Sequence, residues 1–233
     1  MPPRFPETSA AAPEHTRPVS DVAPYPNGSP VTGEPLVEFI AVMRRLRAEC
    51  PWKAEQTHRS LARYLLEETH ETLEAIDLGD PAHLREELGD LLLQIYFHAE
   101  IASEAGQFTI DDVAAELTAK MVRRNPHVFS SAPAAHGQMS AAEVNEQWQR
   151  TKADEKQRDS VTDGLPPGLP ALLYADKVLE RLELAGRQVA EVAASSDVAE
   201  DRLGERLVDL VREARAEGID PEQALRAAVR RLL

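Results

Sequence analysis

The chain has 233 residues, which is enough for one medium domain or two small ones. Its formal net charge of -14 and its isoelectric point of about 5.0 argue against a general nucleic-acid binder, which needs a basic surface. The single cysteine, Cys50, excludes an intramolecular disulfide and fits a reducing compartment. We see neither a secretion signal nor an apolar run near the roughly 18 residues of a membrane helix. We therefore expect a cytoplasmic protein without nucleic-acid or membrane partners.

The N-terminal region differs in composition from the rest of the chain. Residues 1–35 contain nine of the 17 prolines and few large apolar side chains. They cannot bury enough surface to offset the entropy of ordering, so we predict a disordered tail. From residue 36 to residue 49 the spacing of apolar residues predicts an amphipathic helix. Arg44, Arg45 and Arg47 lie on its polar side, where we predict a solvated surface.

The stretch from residue 61 to residue 98 predicts two antiparallel helices joined by a tight turn. Its apolar residues recur at intervals of three and four, as they do in helices. Gly79 is expected to end the first helix, while Asp80 caps the second and Pro81 opens it. The two apolar stripes comprise Leu61, Leu65, Leu73 and Ile76 on the first helix and Leu84, Leu88, Leu91, Ile95 and Ala102 on the second.

The predicted hairpin carries the acidic motifs EExxE and ExxD, one on each helix. Three-residue spacing places Glu68 with Glu71 on one face and Glu87 with Asp90 on another. In a hairpin centred on the turn glycine, Glu71 lies level with Glu87 and Glu68 with Asp90. Four carboxylates so placed repel one another, and Arg85 is the only Lys or Arg among them. A hard divalent cation, Mg²⁺ or Mn²⁺, would compensate them. The alternative is that the acids only solvate the outer faces of two helices.

A third helix is predicted after the hairpin. Thr109 and Asp112 read as a capping box, and Asn125 before a proline ends the helix. Lys120 and Arg124 share a face in the last turn, with Arg123 alongside. They could form a phosphate clamp facing the carboxylates, or they could collect there because cations favour helix C-termini.

Two further segments follow. Residues 127–140 are rich in small residues and predict a loop, and residues 141–158 predict a helix. On this helix Trp148 and Lys152 lie four residues apart. The indole of Trp148 could stack on a nucleobase or pack against a neighbouring helix.

A proline-rich linker then leads to an internal echo of the hairpin region. The second half of the hairpin and the helix after it can be laid on residues 199–232 with one short gap. The metal-ligand positions are poorly preserved in this echo, because Arg202 falls on Glu87 and Glu205 replaces Asp90. The other matches are Gly204 on Gly89, Gly218 on Gly106, and Arg230 and Arg231 on Arg123 and Arg124. Chance similarity between two Ala/Arg/Leu-rich helical pairs is the alternative.

The segments EETHE and EELGD, preceded by CPWKAEQTH and followed by KMVRRNPHVF, resemble the MazG family of nucleoside triphosphate pyrophosphohydrolases. The resemblance extends from about Leu36 to Lys156. It implies an all-α, antiparallel helical bundle, with the active site on a helical hairpin and two tandem helical domains in a homodimer. It also implies Mg²⁺-dependent cleavage of an NTP or dNTP between the α and β phosphates.

The resemblance also suggests a role for each matching position. The metal ligands fall on Glu68, Glu71, Glu87 and Asp90. Acidic positions near the substrate, which could orient water or a further ion, fall on Glu67 and Glu86. The substrate-binding positions fall on Lys120 and Arg124, with Arg123 beside them, and on Trp148 and Lys152. One departure is Lys53, which stands where the family often has Asp.

We therefore predict a tail at 1–35, a MazG-like catalytic helical domain at 36–157, a linker at 158–170 and a shortened, degenerate second repeat at 171–233. The predicted activity is Mg²⁺-dependent hydrolysis of nucleoside triphosphates by metal-activated water, in nucleotide-pool housecleaning. The alternative is a non-catalytic nucleotide-binding or regulatory dimer scaffold. A di-iron carboxylate bundle is set aside, because it requires a Glu-x-x-His motif that is absent at the relevant positions.

Overall fold

The computed structural model describes residues 32–129, 139–155, 160–187 and 198–232. Within these ranges every regular element is a helix, which confirms the all-α prediction, and no described helix has the length and apolarity to cross a membrane. In chain order the helices are α1 (Glu34–Glu49), α2 (Pro51–Ala54), α3 (His58–Leu78), α4 (Pro81–Glu104), α5 (Ile110–Arg124), α6 (Pro126–Phe129), α7 (Ala141–Glu155), α8 (Ala171–Leu184), α9 (Ala199–Ala216) and α10 (Pro221–Arg230).

The chain divides into two compact units, Met1–Asp154 and Glu155–Leu233. In the first unit α3 packs against α4, and α4 also contacts α1 and α5; in the second, α8, α9 and α10 contact one another. The predicted domain limits stay predictions. Most of the predicted disordered tail, residues 1–31, lies outside the described residues.

The predicted hairpin of α3 and α4 is confirmed, together with its turn. Gly79 follows α3 with a φ of 68°, a left-handed conformation that glycine adopts without strain. The carboxylate of Asp80 then accepts hydrogen bonds from the backbone N–H groups of Ala82 and His83, at 2.8 and 3.3 Å, and Pro81 opens α4. Local chemistry therefore determines where the chain reverses.

The core of the first unit lies where α1, α3 and α4 meet. Its buried residues are Met43, Leu61, Tyr96 and Phe97. Burying each of these side chains contributes roughly 1.5–3 kcal/mol, which outweighs the cost of ordering it. The residues packed around them are Phe39, Ile40, Leu46, Tyr64, Leu92, Leu93, Ile101 and Ile110.

The apolar stripes of the hairpin do not all face this core. Leu61 and Ala102 are buried, as the stripes predict, whereas Leu65, Ile76, Leu88 and Ile95 are exposed; Ile76 and Leu88 each expose half of their surface or more. The helical period was read correctly from the sequence. Which apolar side chains are covered depends on neighbouring helices.

The prediction of a solvated Arg47 is wrong. Its side chain is 9% exposed, and its guanidinium donates to both carboxylate oxygens of Glu104, with Nε lying 2.8 Å from Oε1. The Nη1 atom donates to the backbone carbonyls of Lys53, Ala54 and Gln56, the last two at 3.1 Å. Arg47 thus ties the end of α1 to α2 and to α4, and the interaction lowers the pKa of Glu104.

The predictions for the later part of the first unit are mostly confirmed. Thr109 and Asp112 form the expected capping box, and α5 ends at Arg124, before Asn125 and a proline. The predicted loop at 127–140 is wrong at its start, because Pro126–Phe129 forms the short helix α6. The loop's residues 130–138 lie outside the described residues, as do residues 156–158 of the helix predicted for 141–158.

The second unit has its own small core and its own central arginine. Leu179 on α8 and Val211 on α9 are buried. The guanidinium of Arg215 joins the two helices through Asp176 and Glu183, at 2.6 and 2.7 Å. Both carboxylates lie on α8, so Arg215 fixes α9 against that helix.

Candidate metal and nucleotide site

Three of the four predicted carboxylate ligands converge between α3 and α4. Glu68, Glu71 and Glu87 each offer one carboxylate oxygen, and these oxygens lie within 4.8 Å of one another. Helical spacing brings Glu68 and Glu71 to one side of α3, and the antiparallel packing of α4 adds Glu87. Glu87 is buried, Glu68 is half-buried and Glu71 is exposed, so the cluster opens to solvent on one side.

The fourth predicted ligand, Asp90, lies beside this cluster. The pKa of Glu68 is raised by burial first, and then by the negative charges of Asp90, Glu71 and Glu87 in that order. Asp90 is therefore close enough to act on Glu68, the residue that sequence register places level with it. The four side chains together form a concentration of negative charge that disfavours ionisation of Glu68.

Glu87 is the most buried member of the cluster, with 8% of its surface exposed. Its Oε1 atom lies 3.1 Å from Nε2 of His83, which is an ion-pair distance when the imidazole is protonated. Its Oε2 atom is buried and has no hydrogen-bond partner among the residues that the structure describes. A buried carboxylate oxygen without a donor costs about 1–3 kcal/mol or more, so this atom is suited to bind a cation.

These residues fit a hard divalent cation. Carboxylate oxygens are the ligands that Mg²⁺ and Mn²⁺ prefer, and the cluster offers three of them within reach of one ion, with Asp90 alongside. An ion there would neutralise the mutual repulsion and would give Oε2 of Glu87 a partner. The cluster is thus a candidate metal site on the predicted hairpin.

The predicted substrate-binding residues fall on α5 and α7. Arg124 is buried, and the centre of its guanidinium lies 5.3 Å from the centroid of the Trp148 ring, which is a cation–π distance. The structure thus brings together two residues that are 24 positions apart in the sequence. Lys120 and Lys152 are half-buried and Arg123 is exposed.

The two predicted catalytic acids, Glu67 and Glu86, are both exposed. Each is the immediate chain neighbour of a carboxylate in the cluster, one on α3 and one on α4. Their roles in catalysis stay predictions.

His83 is a functional candidate that the sequence reasoning missed. That reasoning counted only Lys and Arg as cations within the acidic stretch. The signal was present, since His83 and Glu87 are four residues apart on one helix and such pairs face each other. That spacing does not show that Glu87 is buried, and an interaction of a buried carboxylate is stronger than one on the surface.

Lys53 also has a defined place. Its Nζ atom lies 5.4 Å from the centroid of the Trp52 ring and 5.3 Å from that of Phe97. A lysine at this position is therefore accommodated by aromatic faces, an environment that an aspartate could not use in the same way.

Comparison with known proteins places these features in a family. A family model described as the MazG nucleotide pyrophosphohydrolase domain matches residues 56–129. A nucleoside triphosphate pyrophosphohydrolase of Mycobacterium tuberculosis is 46% identical over 189 residues, covering 77% of this chain and 57% of that protein. The nucleoside triphosphate pyrophosphohydrolase/pyrophosphatase MazG of Thermotoga maritima is 36% identical over 216 residues, covering 84% of this chain and 82% of that protein.

A crystal structure of a mazG-related protein from Thermotoga maritima aligns with a TM-score of 0.43 at 26% identity, over 51% of this chain and 97% of that one. The chain spans little more than half of the Mycobacterium tuberculosis relative but most of the Thermotoga maritima enzyme. The segment matched by the family model contains the carboxylate cluster, Asp90 and the basic end of α5. With 36% identity over 82% of a MazG protein's length, the chain belongs to the MazG family.

Proposed function

We propose that the chain hydrolyses nucleoside triphosphates to the monophosphate and diphosphate, with Mg²⁺ or Mn²⁺ held by the carboxylate cluster. Membership of the MazG family makes it a nucleoside triphosphate pyrophosphohydrolase, a hydrolase of phosphoanhydride bonds. Water adds across the phosphoanhydride bond between the α and β phosphorus atoms, that bond breaks, and the monophosphate and diphosphate are released. The observation that carries the proposal is the convergence of Glu68, Glu71 and Glu87 around one point, with a buried oxygen of Glu87 unpaired among the described residues.

Glu68, Glu71, Glu87 and Asp90 would hold the cation. A divalent ion bound there would offset charge on the phosphates and make a nearby water more acidic. Its ligands come from both helices of the hairpin, so the ion would hold the phosphates close to α3 and α4. Hydrogen-bonded capping at both ends of the turn keeps the two helices in register.

Glu67 and Glu86 would orient the attacking water and accept its proton. Both are exposed and each precedes a ligand residue in the chain; their assignment rests on the family resemblance.

The basic residues would bind the remainder of the nucleotide. The guanidinium of Arg124 lies against the Trp148 ring, which restricts its motion, and a guanidinium is well suited to bind phosphate oxygens. We assign phosphate contacts to Lys120, Arg123 and Arg124, and contacts with the base and sugar to Trp148 and Lys152.

We also propose a homodimer, a cytoplasmic location and a role in nucleotide-pool housecleaning. The homodimer is supported by the exposed apolar residues Leu65, Leu88 and Ile95 on α3 and α4, which a second copy of the hairpin could cover. Gel filtration at several concentrations tests this, and a strictly monomeric active protein would contradict it.

Turnover of Glu71→Gln tests the activity. Products are scored separately as diphosphate and orthophosphate, with a panel of normal and modified NTPs and dNTPs in Mg²⁺. We expect diphosphate from the parent chain and none detectable from the variant, with the helical circular dichroism unchanged. Glu74→Gln, an exposed glutamate three residues further along α3, is the matched control and should retain turnover. Undiminished turnover in Glu71→Gln would contradict the proposal, and tight nucleotide binding without monophosphate would favour the non-catalytic alternative.

A further inference from the structure

We propose that His83 is a positioning residue for the metal ligand Glu87. It occupies one carboxylate oxygen so that the other remains directed at the cation. The inference rests on the proposed metal-dependent function and adds a residue that the family resemblance did not supply.

The two oxygens of Glu87 have different surroundings. Oε1 lies 3.1 Å from Nε2 of His83, while Oε2 is buried without a hydrogen-bond partner among the described residues. A carboxylate oxygen only accepts hydrogen bonds, so the proposal assigns the hydrogen to Nε2 of His83. The side chain of Glu87 is 10% exposed and that of His83 is 33% exposed, so the contact lies at the edge of the buried region.

The backbone of His83 is itself fixed. Its N–H donates to the capping carboxylate of Asp80, at 3.3 Å, in the first turn of α4. The imidazole therefore extends from a backbone position that the cap fixes, and it contacts Glu87, which lies one helical turn further along α4. The hydrogen bond from His83 to Asp80 and the contact of His83 with Glu87 link the turn of the hairpin to the carboxylate cluster.

This arrangement has a consequence for cation binding. The terminal torsion of a glutamate is soft, so an unrestrained carboxylate rotates among several orientations. With Oε1 held by His83, only one orientation remains favourable, and it leaves Oε2 available beside the oxygens of Glu68 and Glu71. Residues that orient metal ligands in this way commonly change metal affinity when they are removed.

The test compares His83→Leu, which fills the space but removes the donor, with His83→Gln, whose side-chain amide can donate to Glu87. His70→Leu is the matched control, because His70 is an exposed histidine on the partner helix α3. Mn²⁺ binding to the full chain is measured by electron paramagnetic resonance without nucleotide. We expect the Mn²⁺ dissociation constant of His83→Leu to rise about 10- to 100-fold, the range seen when a group that orients a metal ligand is lost.

We expect His83→Gln to recover most of the affinity and His70→Leu to match the parent chain. In turnover, His83→Leu should shift the Mg²⁺ activation curve to higher concentration and retain most of kcat at saturating Mg²⁺. Should His83→Leu fail to fold, as judged by circular dichroism, His83→Asn replaces it, since its shorter amide does not reach Glu87.

Parent-like Mn²⁺ affinity in the donor-free variant would overturn the role of His83. An equal loss in His83→Gln and His83→Leu would also overturn it, since the donor would then be irrelevant. These outcomes differ from a failure of the proposed function, in which the parent chain itself would bind no Mn²⁺ and Glu71→Gln would leave diphosphate release unchanged.

Discussion

Helices α4 and α9 end in the same way, although they belong to different units. After α4, Gly106 adopts a φ of 67° and donates to the carbonyl of Ser103; after α9, Gly218 adopts a φ of 70° and donates to that of Arg215. Each glycine is followed within three residues by a side chain, Thr109 or Asp220, that caps the next helix. In both helix pairs, therefore, a glycine ends the first helix and a side-chain cap begins the second.

Their burial agrees at some aligned positions but not at most, because α4 buries six residues and α9 buries only Val211. In the register that aligns Gly89 with Gly204, the exposed Leu88 and Ile95 match the exposed Leu203 and Leu210, and the buried Tyr96 matches the buried Val211. Their chemistry does not correspond, because Arg202 stands in place of Glu87 and Glu205 in place of Asp90. Among the described residues, a group of side chains that could bind a metal ion is found only on α3 and α4. The two helices thus share the way they end, but they share neither the extent of burial nor the site chemistry.

The largest expected effect is a loss of diphosphate release, and it should occur for a change in the first unit but not for the aligned change in the second. Asp90→Asn should reduce diphosphate release about 100-fold or more, the scale of losing one fixed electrostatic contact in a phosphoryl or acyl transfer site. Glu205→Gln, the aligned change in α9, should leave turnover near that of the parent chain. Steady-state assays of released diphosphate measure both. An equal loss in the two variants would contradict the assignment of catalysis to the first unit.

A second prediction separates the units by stability. Arg47→Met removes the guanidinium that joins α1, α2 and α4, so the backbone carbonyls of Lys53, Ala54 and Gln56 lose this donor, and it should cost about 2–4 kcal/mol of unfolding free energy. Both tryptophans, Trp52 and Trp148, lie in the first unit, so urea unfolding followed by their fluorescence reports that unit alone. Arg215→Met should instead lower the stability seen by circular dichroism while leaving the fluorescence midpoint near the parent value. A fluorescence midpoint that moves equally in both variants would show that the units unfold as one.

The smallest predicted effect is a pH dependence confined to the first unit. The hydrogen bond from Arg47 lowers the pKa of Glu104 and outweighs the opposing effect of burial. A carboxylate with a lowered pKa in the folded state contributes stability above its ordinary pKa of about 4.3, and loses it as the pH falls through the lowered value. Glu104→Gln should therefore destabilise at pH 7 by about 1 kcal/mol or less, because Glu104 is partly exposed, and the difference should shrink below about pH 4.

Glu49→Gln is the matched control for this measurement, since Glu49 pairs with Arg45 on the open surface of α1. Its unfolding midpoint in urea should stay close to the parent value at both pH values. A difference between Glu104→Gln and the parent chain that grows on acidification would contradict the sign worked out for Glu104.

Much of the fold follows from local chemistry that the sequence displays directly. Gly79, Asp80 and Pro81 specify the hairpin turn, and the Thr109–Asp112 capping box specifies the start of α5, because each acts within a few residues of itself. The convergence of Glu68, Glu71 and Glu87 was also predictable, since helical spacing and the level pairing of a hairpin set it.

Burial and contacts between residues distant in the sequence depend on the tertiary structure. Arg47 looked like a surface residue because its partner Glu104 is 57 positions away, and only the packing of α1 on α4 brings them together. The exposure of Leu88 and Ile95, beside the buried Tyr96 and Phe97, likewise depends on which faces neighbouring helices cover. By itself the sequence determined the helices, their ends and the register of the acids, because these follow from short-range hydrogen bonding and the helical period. The tertiary structure decided that Glu87 is buried, because burial is a property of the packed helices. One of its carboxylate oxygens lies 3.1 Å from Nε2 of His83, and the other has no hydrogen-bond partner among the described residues.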